Sequence, residues 1–293
     1  MGSRWLREPL APTGSEVEEY GLWSSPDGNE WTWLPLSLET IYREDPGPWD
    51  SYWMVDVAER SGSLLAVVGT NHYEGVSDEQ PEQYTLVFAS SNGESWERVA
   101  VTSIFEGASI GKVLGAAPGF IAVGENGAGA LSAWVSEDGS SWSKYVLAAT
   151  GVGFVGEIIE FDDHFVVLGW DESGPITWTS EDGTEWMAAA QSDGETAYGH
   201  GRFHHNIAVI GPNLIATGKA EGEPLWWISH DGIMWSQGLS ESGLFPKSGD
   251  LGEGSVDLHI NDIFAIEGDR LVALGFHGGG LTDGLWVWSP PEN

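Results

Sequence analysis

Five stretches of the chain are almost wholly apolar and close on a glycine: Leu64-Leu-Ala-Val-Val-Gly69, Phe120-Ile-Ala-Val-Gly124, Phe165-Val-Val-Leu-Gly169, Leu214-Ile-Ala-Thr-Gly218 and Leu271-Val-Ala-Leu-Gly275. Such short runs read as strands buried on both faces. A less regular stretch precedes each, for example residues 156–161 or 260–266, and reads as the innermost strand of the same sheet. An outer hairpin follows, as in Leu131–Ser136, a turn, and Trp142–Leu147. The hairpin carries a repeated signature: Ser25-Pro-Asp27-Gly28-Asn-Glu-Trp31, Ser90-Ser-Asn92-Gly93-Glu-Ser-Trp96, Ser136-Glu-Asp138-Gly139-Ser-Ser-Trp142, Ser180-Glu-Asp182-Gly183-Thr-Glu-Trp186 and Ser229-His-Asp231-Gly232-Ile-Met-Trp235, with a shortened echo at Trp288-Ser289-Pro290. Asp or Asn bonds its own backbone in such a turn, and Gly supplies the positive φ that a tight hairpin needs. These aspartates are therefore read as structural, and the tryptophan after each turn as packing between sheets.

Four short strands repeated at intervals of 44 to 65 residues predict an all-β chain, a β-propeller of four-stranded antiparallel blades. Five inner pairs against six outer motif strands predict five blades, with six as the alternative. Residues 259–289 and a strand near Trp31–Leu36 would share the closing blade, so that N- and C-terminal strands close the ring. The whole chain, 1–293, reads as one domain, with residues 1–21 an N-terminal extension or edge strand.

Composition narrows the partners. Forty-five acidic residues against eleven basic ones give a formal charge of −34. That field repels phosphate backbones and anionic lipid surfaces, so nucleic acid is not an expected partner. No apolar run is long enough to insert in a membrane, and residues 1–20 lack a signal-peptide profile. There is no cysteine, which excludes disulfides, thiolate metal sites and cysteine nucleophiles. A mature secreted or cell-envelope protein is the expected setting; the oligomeric state is not readable.

The hairpins resemble the Asp-box, or bacterial-neuraminidase, repeats of sialidase-like propellers. Here Asp and Gly are adjacent, a form also similar to the hairpins of five-bladed glycosidases that act on arabinans, fructans and mannosides. The resemblance implies the fold and leaves the function open, since such propellers include hydrolases, lyases, receptors and assembly factors. Sialidases hold the substrate carboxylate with three arginines. This chain has seven arginines, of which Arg202 is the plausible loop-face candidate, so sialidase activity is not expected. Asp45-Pro46 and Trp49-Asp50 stand near where an arabinanase-like site would begin, without its surrounding pattern.

Loops entering the innermost strands and leaving the second strands share one face, opposite the motif turns. Candidate acids and bases there are Glu157, Asp262, Asp56 and His204. Lys112 and Glu157 both stand twelve residues before the glycine of the next strand, where other blades carry Val57, Asn206 and Ile263, and would form an ion pair or a tuned acid–base couple. Trp49, Trp53, Trp170, Tyr52 and Tyr73, with Arg202, His205, His259 and Lys112, are candidate ligand-binding residues, because aromatic faces stack on the C–H faces of sugars while polar groups meet the hydroxyls. No spacing is a metal motif, so no metal or cofactor is assigned; calcium at acidic loops such as Asp171-Glu172, or zinc at the histidines, is what the residue types would allow. A propeller binding a glycan or protein on its loop face is the leading expectation. A carbohydrate-active hydrolase or lyase and an assembly scaffold are the alternatives.

Overall fold

The computed structural model describes residues 21–24, 29–35, 51–72, 82–99, 103–117, 119–148, 154–171, 174–189, 202–220, 223–237, 258–266, 270–277 and 282–288. It is an all-β propeller of five antiparallel blades, with no α-helix among the described residues. A short hairpin, β1 (Gly21–Ser24) and β2 (Thr32–Pro35), comes first. The first blade is β3 (Ser51–Arg60), β4 (Ser63–His72), β5 (Glu82–Ser90) and β6 (Glu97–Arg98). The second is β7 (Ser109–Ala116), β8 (Gly119–Glu125), β9 (Leu131–Ser136) and β10 (Ser143–Ala148). The third is β11 (Phe154–Phe161), β12 (His164–Asp171), β13 (Gly174–Ser180) and β14 (Met187–Ala188). The fourth is β15 (Arg202–Ile210), β16 (Asn213–Ala220), β17 (Glu223–Ser229) and β18 (Trp235–Gln237). The fifth has three strands, β19 (Leu258–Ile266), β20 (Arg270–His277) and β21 (Thr282–Trp288). The chain divides into two compact units, residues 1–128 with 133–144, and residues 129–132 with 145–293.

The apolar runs are the second strands, and they are buried on both faces as their composition requires. Leu65 and Val67 of β4 pack with Ile110, Val113, Phe120 and Trp134 of the second blade, while Leu64, Ala66 and Val68 pack with Leu86, Phe88 and Trp96. In the other unit Val166 and Leu168 meet Ile207, Leu214 and Trp227 of the fourth blade. Ile215 and Trp226 then meet Ile260, Ile263 and Leu271 of the fifth. Within each unit the second strands are thus buried against the neighbouring blade, the main stabilising term in such a fold.

Each residue of the motif has a visible task. Ser136 Oγ accepts the Gly139 N–H at 2.8 Å and donates to Asp138 Oδ1 at 3.2 Å. Asp138 Oδ1 accepts the N–H groups of Ser140 (2.8 Å) and Ser141 (2.9 Å), and its Oδ2 accepts the Ser140 hydroxyl. Trp142 Nε1 donates to Gly139 O at 3.0 Å. The same serine, Asx-turn and indole bonds recur around Asn92, Asp182 and Asp231. The turn glycines Gly93, Gly139, Gly183 and Gly232 have positive φ, between 69° and 80°.

These bonds hold the turn carboxylates below the usual range. The amides of Ser141 and Ser140 lower Asp138, and the Thr184 amide and hydroxyl lower Asp182. Burial pushes Asp231 up, but the Met234 and Ile233 amides, the Ser229 hydroxyl and the charge of His164 together outweigh it. A depressed native pKa means that the unfolded chain binds more protons, so this stability is present above the ordinary aspartate pKa, about 3.9. It is lost as pH falls through the lower native values. Asn92 shows that an amide oxygen makes the same turn without titrating. Substituting Asp138, Asp182 and Asp231 together with Asn is therefore expected to lower the urea midpoint modestly at pH 7, where the charge-assisted bonds are lost, and to flatten its fall between pH 5 and pH 2. A triple variant with the wild-type slope would assign that acid sensitivity elsewhere.

Two expectations differ from what is seen. The strand expected to complete the last blade, Thr32–Pro35, instead pairs with Gly21–Ser24 (Trp23 opposite Trp33), the nearest strand across the first Asp-Gly segment. In the last blade Trp288 pairs with Leu271, as Ser180 pairs with Phe165 and Ser229 with Leu214. Trp288, rather than Ser289, thus stands at the place of the motif serine.

Candidate functional site

Each blade can be counted outward in rungs from the corner that joins its first two strands. The corners are Arg60/Ser63, Ala116/Gly119, Phe161/His164, Ile210/Asn213 and Ile266/Arg270. Motif turns lie at this same end, since the motif serines pair with residues next to the corners. The entering and leaving loops lie at the other end, as the sequence predicts.

The fifth rung of the innermost strands is titratable in every blade. It pairs Asp56 with Val67, Lys112 with Val123, Glu157 with Leu168, His204 with Thr217, and Asp262 with Leu274. All four candidate acids and bases fall on this rung, together with Lys112. The sequence ruler placed Lys112 and Glu157 together but put Val57, Asn206 and Ile263 beside them. It fails by one residue in the first blade, where Gly69 stands one rung further out, and in the fifth, whose corner is one residue longer. In the fourth the irregularity spans two residues, between His204 and Ile207.

Every innermost strand has a register shift at this height: Met54/Asp56, Ile110/Lys112, Val155/Glu157, His204/Ile207 and Ile260/Asp262. Bulges re-aim the side chains beside them and are enriched next to functional sites. They also free amides for side chains to bond. Asp56 Oδ1 accepts the Val57 N–H at 2.9 Å and its Oδ2 accepts the Val113 N–H of the neighbouring blade at 3.1 Å. Glu157 Oε1 accepts the Ile158 N–H at 3.1 Å. Asp56 is thus a brace between two innermost strands, with each carboxylate oxygen on a backbone amide. Glu157 is half-buried, and Asp262 is exposed on the fifth blade.

The seventh rung carries four of the nine candidate ligand-binding residues, Trp53, Trp170, Arg202 and His259. It pairs Trp53 with Gly69, Ser109 with Glu125, Phe154 with Trp170, Arg202 with Lys219, and His259 with Phe276. Tyr52 stands one step beyond, opposite Thr70, and His205 lies in the irregular segment of β15. Trp49 and Tyr73 lie outside the described residues. Phe154, Lys219 and Phe276 were not among the sequence candidates. Only strand register, which the sequence does not print, aligns them with the others. Phe154 is 51 % exposed, unusual for a phenylalanine in a strand.

Within the second unit β15 lies against both β11 and β19. The fifth rungs of these consecutive strands carry Glu157, His204 and Asp262, and the seventh rungs carry Phe154, Arg202 and His259. Carboxylates and imidazole thus lie two rungs below aromatic and cationic positions. Among the described residues no group of three or more His, Cys, Asp or Glu is arranged to hold a metal ion, and no helix is long and apolar enough to cross a membrane. A sialidase-type arginine trio does not assemble among the described arginines. Arg60 and Arg270 are corner residues at the motif end, Arg98 follows a motif turn, and Arg202 alone is at the loop end.

No family profile matches the chain, and no curated protein matches it in sequence. Solved structures do. Trypanosoma rangeli sialidase in complex with the inhibitor DANA superposes with a TM-score of 0.53 at 13% identity, covering 92% of this chain and 49% of the sialidase. The same sialidase as a covalent intermediate with 2,3-difluorosialic acid gives 0.53 at 14% identity, again with 92% and 49% covered. A glycosyl hydrolase from Bacteroides ovatus matches at a TM-score of 0.43 and 13% identity, over 83% of this chain and 86% of its own. The chain spans about half the length of the sialidases it matches. It has the fold of the sialidase-like β-propellers.

Proposed function

We propose that the protein binds a glycan at the loop end of its innermost strands. The observation that carries this reading is the seventh rung of the second unit, where register puts Phe154 opposite Trp170, Arg202 opposite Lys219 and His259 opposite Phe276 on three consecutive blades. Flat aromatic faces beside hydrogen-bonding side chains suit sugar rings. The motif aspartates, by contrast, are engaged by their own turns, so their end of each blade is scaffolding. Sialidases of similar fold solved with sialic acid and with 2,3-difluorosialic acid support this reading. A secreted or envelope location accords with an extracellular glycan, and the reading invokes no cofactor.

Substituting Trp170 or Phe154 with alanine is expected to weaken glycan binding by about tenfold or more, a stacked aromatic contact being worth roughly 1 kcal/mol beyond its buried area. Calorimetric titration of a glycan panel, with thermal melts as a check on folding, measures this. Wild-type affinity in both folded variants would refute the surface.

A second reading has its own observation. Glu157 and Asp262 flank His204 on one rung of three consecutive strands, an arrangement of acids and base suited to glycoside cleavage. Paired carboxylates would need to stand roughly 5–10 Å apart across the scissile bond. Product analysis by mass spectrometry decides between the readings. Hydrated ends would make the protein a hydrolase and unsaturated ends a lyase, and Glu157→Gln would abolish either. Intact polysaccharide would leave binding alone.

A further inference from the structure

Two asparagines of this chain precede a glycine, in Asn92-Gly93 and Asn126-Gly127. In such a pair the glycine nitrogen, unshielded by a Cβ, can attack the side-chain amide carbon of the asparagine. Asn92 stands exposed in the outer turn of the first blade, where the next three blades carry Asp138, Asp182 and Asp231. Those carboxylates are held ionised by their turns, and an ionised carboxylate resists a nucleophile. The neutral amide of Asn92 does not.

Four hydrogen bonds converge on Asn92 Oδ1. The Glu94 N–H donates to it at 2.9 Å, the Ser95 N–H at 3.0 Å, the Ser95 hydroxyl at 3.3 Å and the Ser90 hydroxyl at 3.2 Å. Donors so placed polarise the amide and stabilise the charge that its oxygen gains when the carbon is attacked. Ser90 Oγ also accepts the Gly93 N–H at 2.8 Å. One hydroxyl thus bridges the attacking nitrogen and the oxygen that takes the proton. Asn126, by contrast, is buried, and its Oδ1 accepts the Ala128 N–H at 2.9 Å.

We propose that this turn is a self-modification site, at which Asn92 is converted to aspartate. Gly93 N bonds to Asn92 Cγ as its proton passes to Ser90 Oγ and the Ser90 hydrogen passes to Oδ1. The Cγ–Nδ2 bond then breaks, the nitrogen leaves as ammonia with the proton from Oδ1, and a cyclic imide remains. Water opens the imide at Cγ, giving its hydroxyl to that carbon and a proton to Gly93 N. Opening at the backbone carbonyl instead would route the main chain through the side-chain carbons as isoaspartate. That would disturb the 3.1 Å bond from Trp96 Nε1 to Gly93 O, which anchors a buried indole. The fold therefore favours the normal linkage, a fourth turn carboxylate held as Asp138 is.

Incubating the full chain at neutral pH and following each asparagine by peptide mass spectrometry tests this. Asn92 is expected to convert about tenfold or more faster than Asn126 in the folded chain, and about tenfold or more faster there than in urea, where the turn is gone. Ser90→Ala should slow Asn92 by about tenfold and leave Asn126 unchanged. Asn92→Asp, which mimics the product, should melt at pH 7 at or above the wild-type temperature, because it gains charge-assisted bonds. An Asn92 rate in the folded chain no higher than in urea, or no higher than that of Asn126, overturns the proposal. Isoaspartate as the main product of the folded chain overturns the assigned linkage. Should Ser90→Ala not fold, the wild-type comparison of folded and urea-unfolded chains still decides.

Discussion

Trp134→Ala is expected to cost about 3–5 kcal/mol of folding stability, the range for emptying a buried tryptophan site. Trp134 is wholly buried on β9, in the cluster that joins the first two blades. Its ring stacks on Phe105 at 5.5 Å between centroids, and its Nε1 donates to Ile104 O at 3.1 Å. Alanine would remove the packing and orphan a carbonyl together. Trp134→Phe keeps most of the apolar volume and loses only the N–H, so about 1–3 kcal/mol is expected for it. Urea denaturation with an unchanged slope measures both. A loss under about 1 kcal/mol for the alanine variant would mean that the site collapses around the gap, and that packing between blades contributes less than its burial suggests.

Gly232→Ala should cost about 2–5 kcal/mol, which is more than its backbone conformation alone explains. Gly232 has φ of +69°, and a left-handed residue with a Cβ costs roughly 1–2 kcal/mol. The added Cβ would also stand 2.5 Å from Val166 Cγ2, in the second strand of the preceding blade. Overpacking of that kind costs about 1–3 kcal/mol further. Gly62 is the internal control, with φ of +82° and nothing within 4 Å of a built Cβ. Gly62→Ala carries the backbone term without the collision. Equal losses for the two variants would show that the Asp-Gly turn does not bear on the neighbouring blade.

The repeat was legible because its chemistry is local. A serine, an Asx residue, a glycine and a tryptophan within seven positions bond one another, and the apolar strands follow at near-constant distance. The blade count followed from the same features. What escaped the sequence depended on register. One additional corner residue in the fifth blade, and a two-residue irregularity in β15, moved Asp262 and His204 onto the rung of Lys112 and Glu157. The partner of β2 was also misread. Both Gly21-Leu-Trp and Gly284-Leu-Trp suit it, and composition does not choose between two edges of like sequence. Arg202 is legible from its loop position, whereas Lys219 follows an apolar run and reads as a strand end.

The two ends of each blade are under different constraints, and that bears on how such a chain can change. At one end, four turns repeat the same bonds around Asn92, Asp138, Asp182 and Asp231. At the other, the seventh rung of the innermost strands holds five different residue types, Trp53, Ser109, Phe154, Arg202 and His259. A mutational library confined to those five positions would leave every motif turn intact. New ligand specificities should therefore be selectable on this scaffold without rebuilding its core, as divergence after duplication of a blade would require.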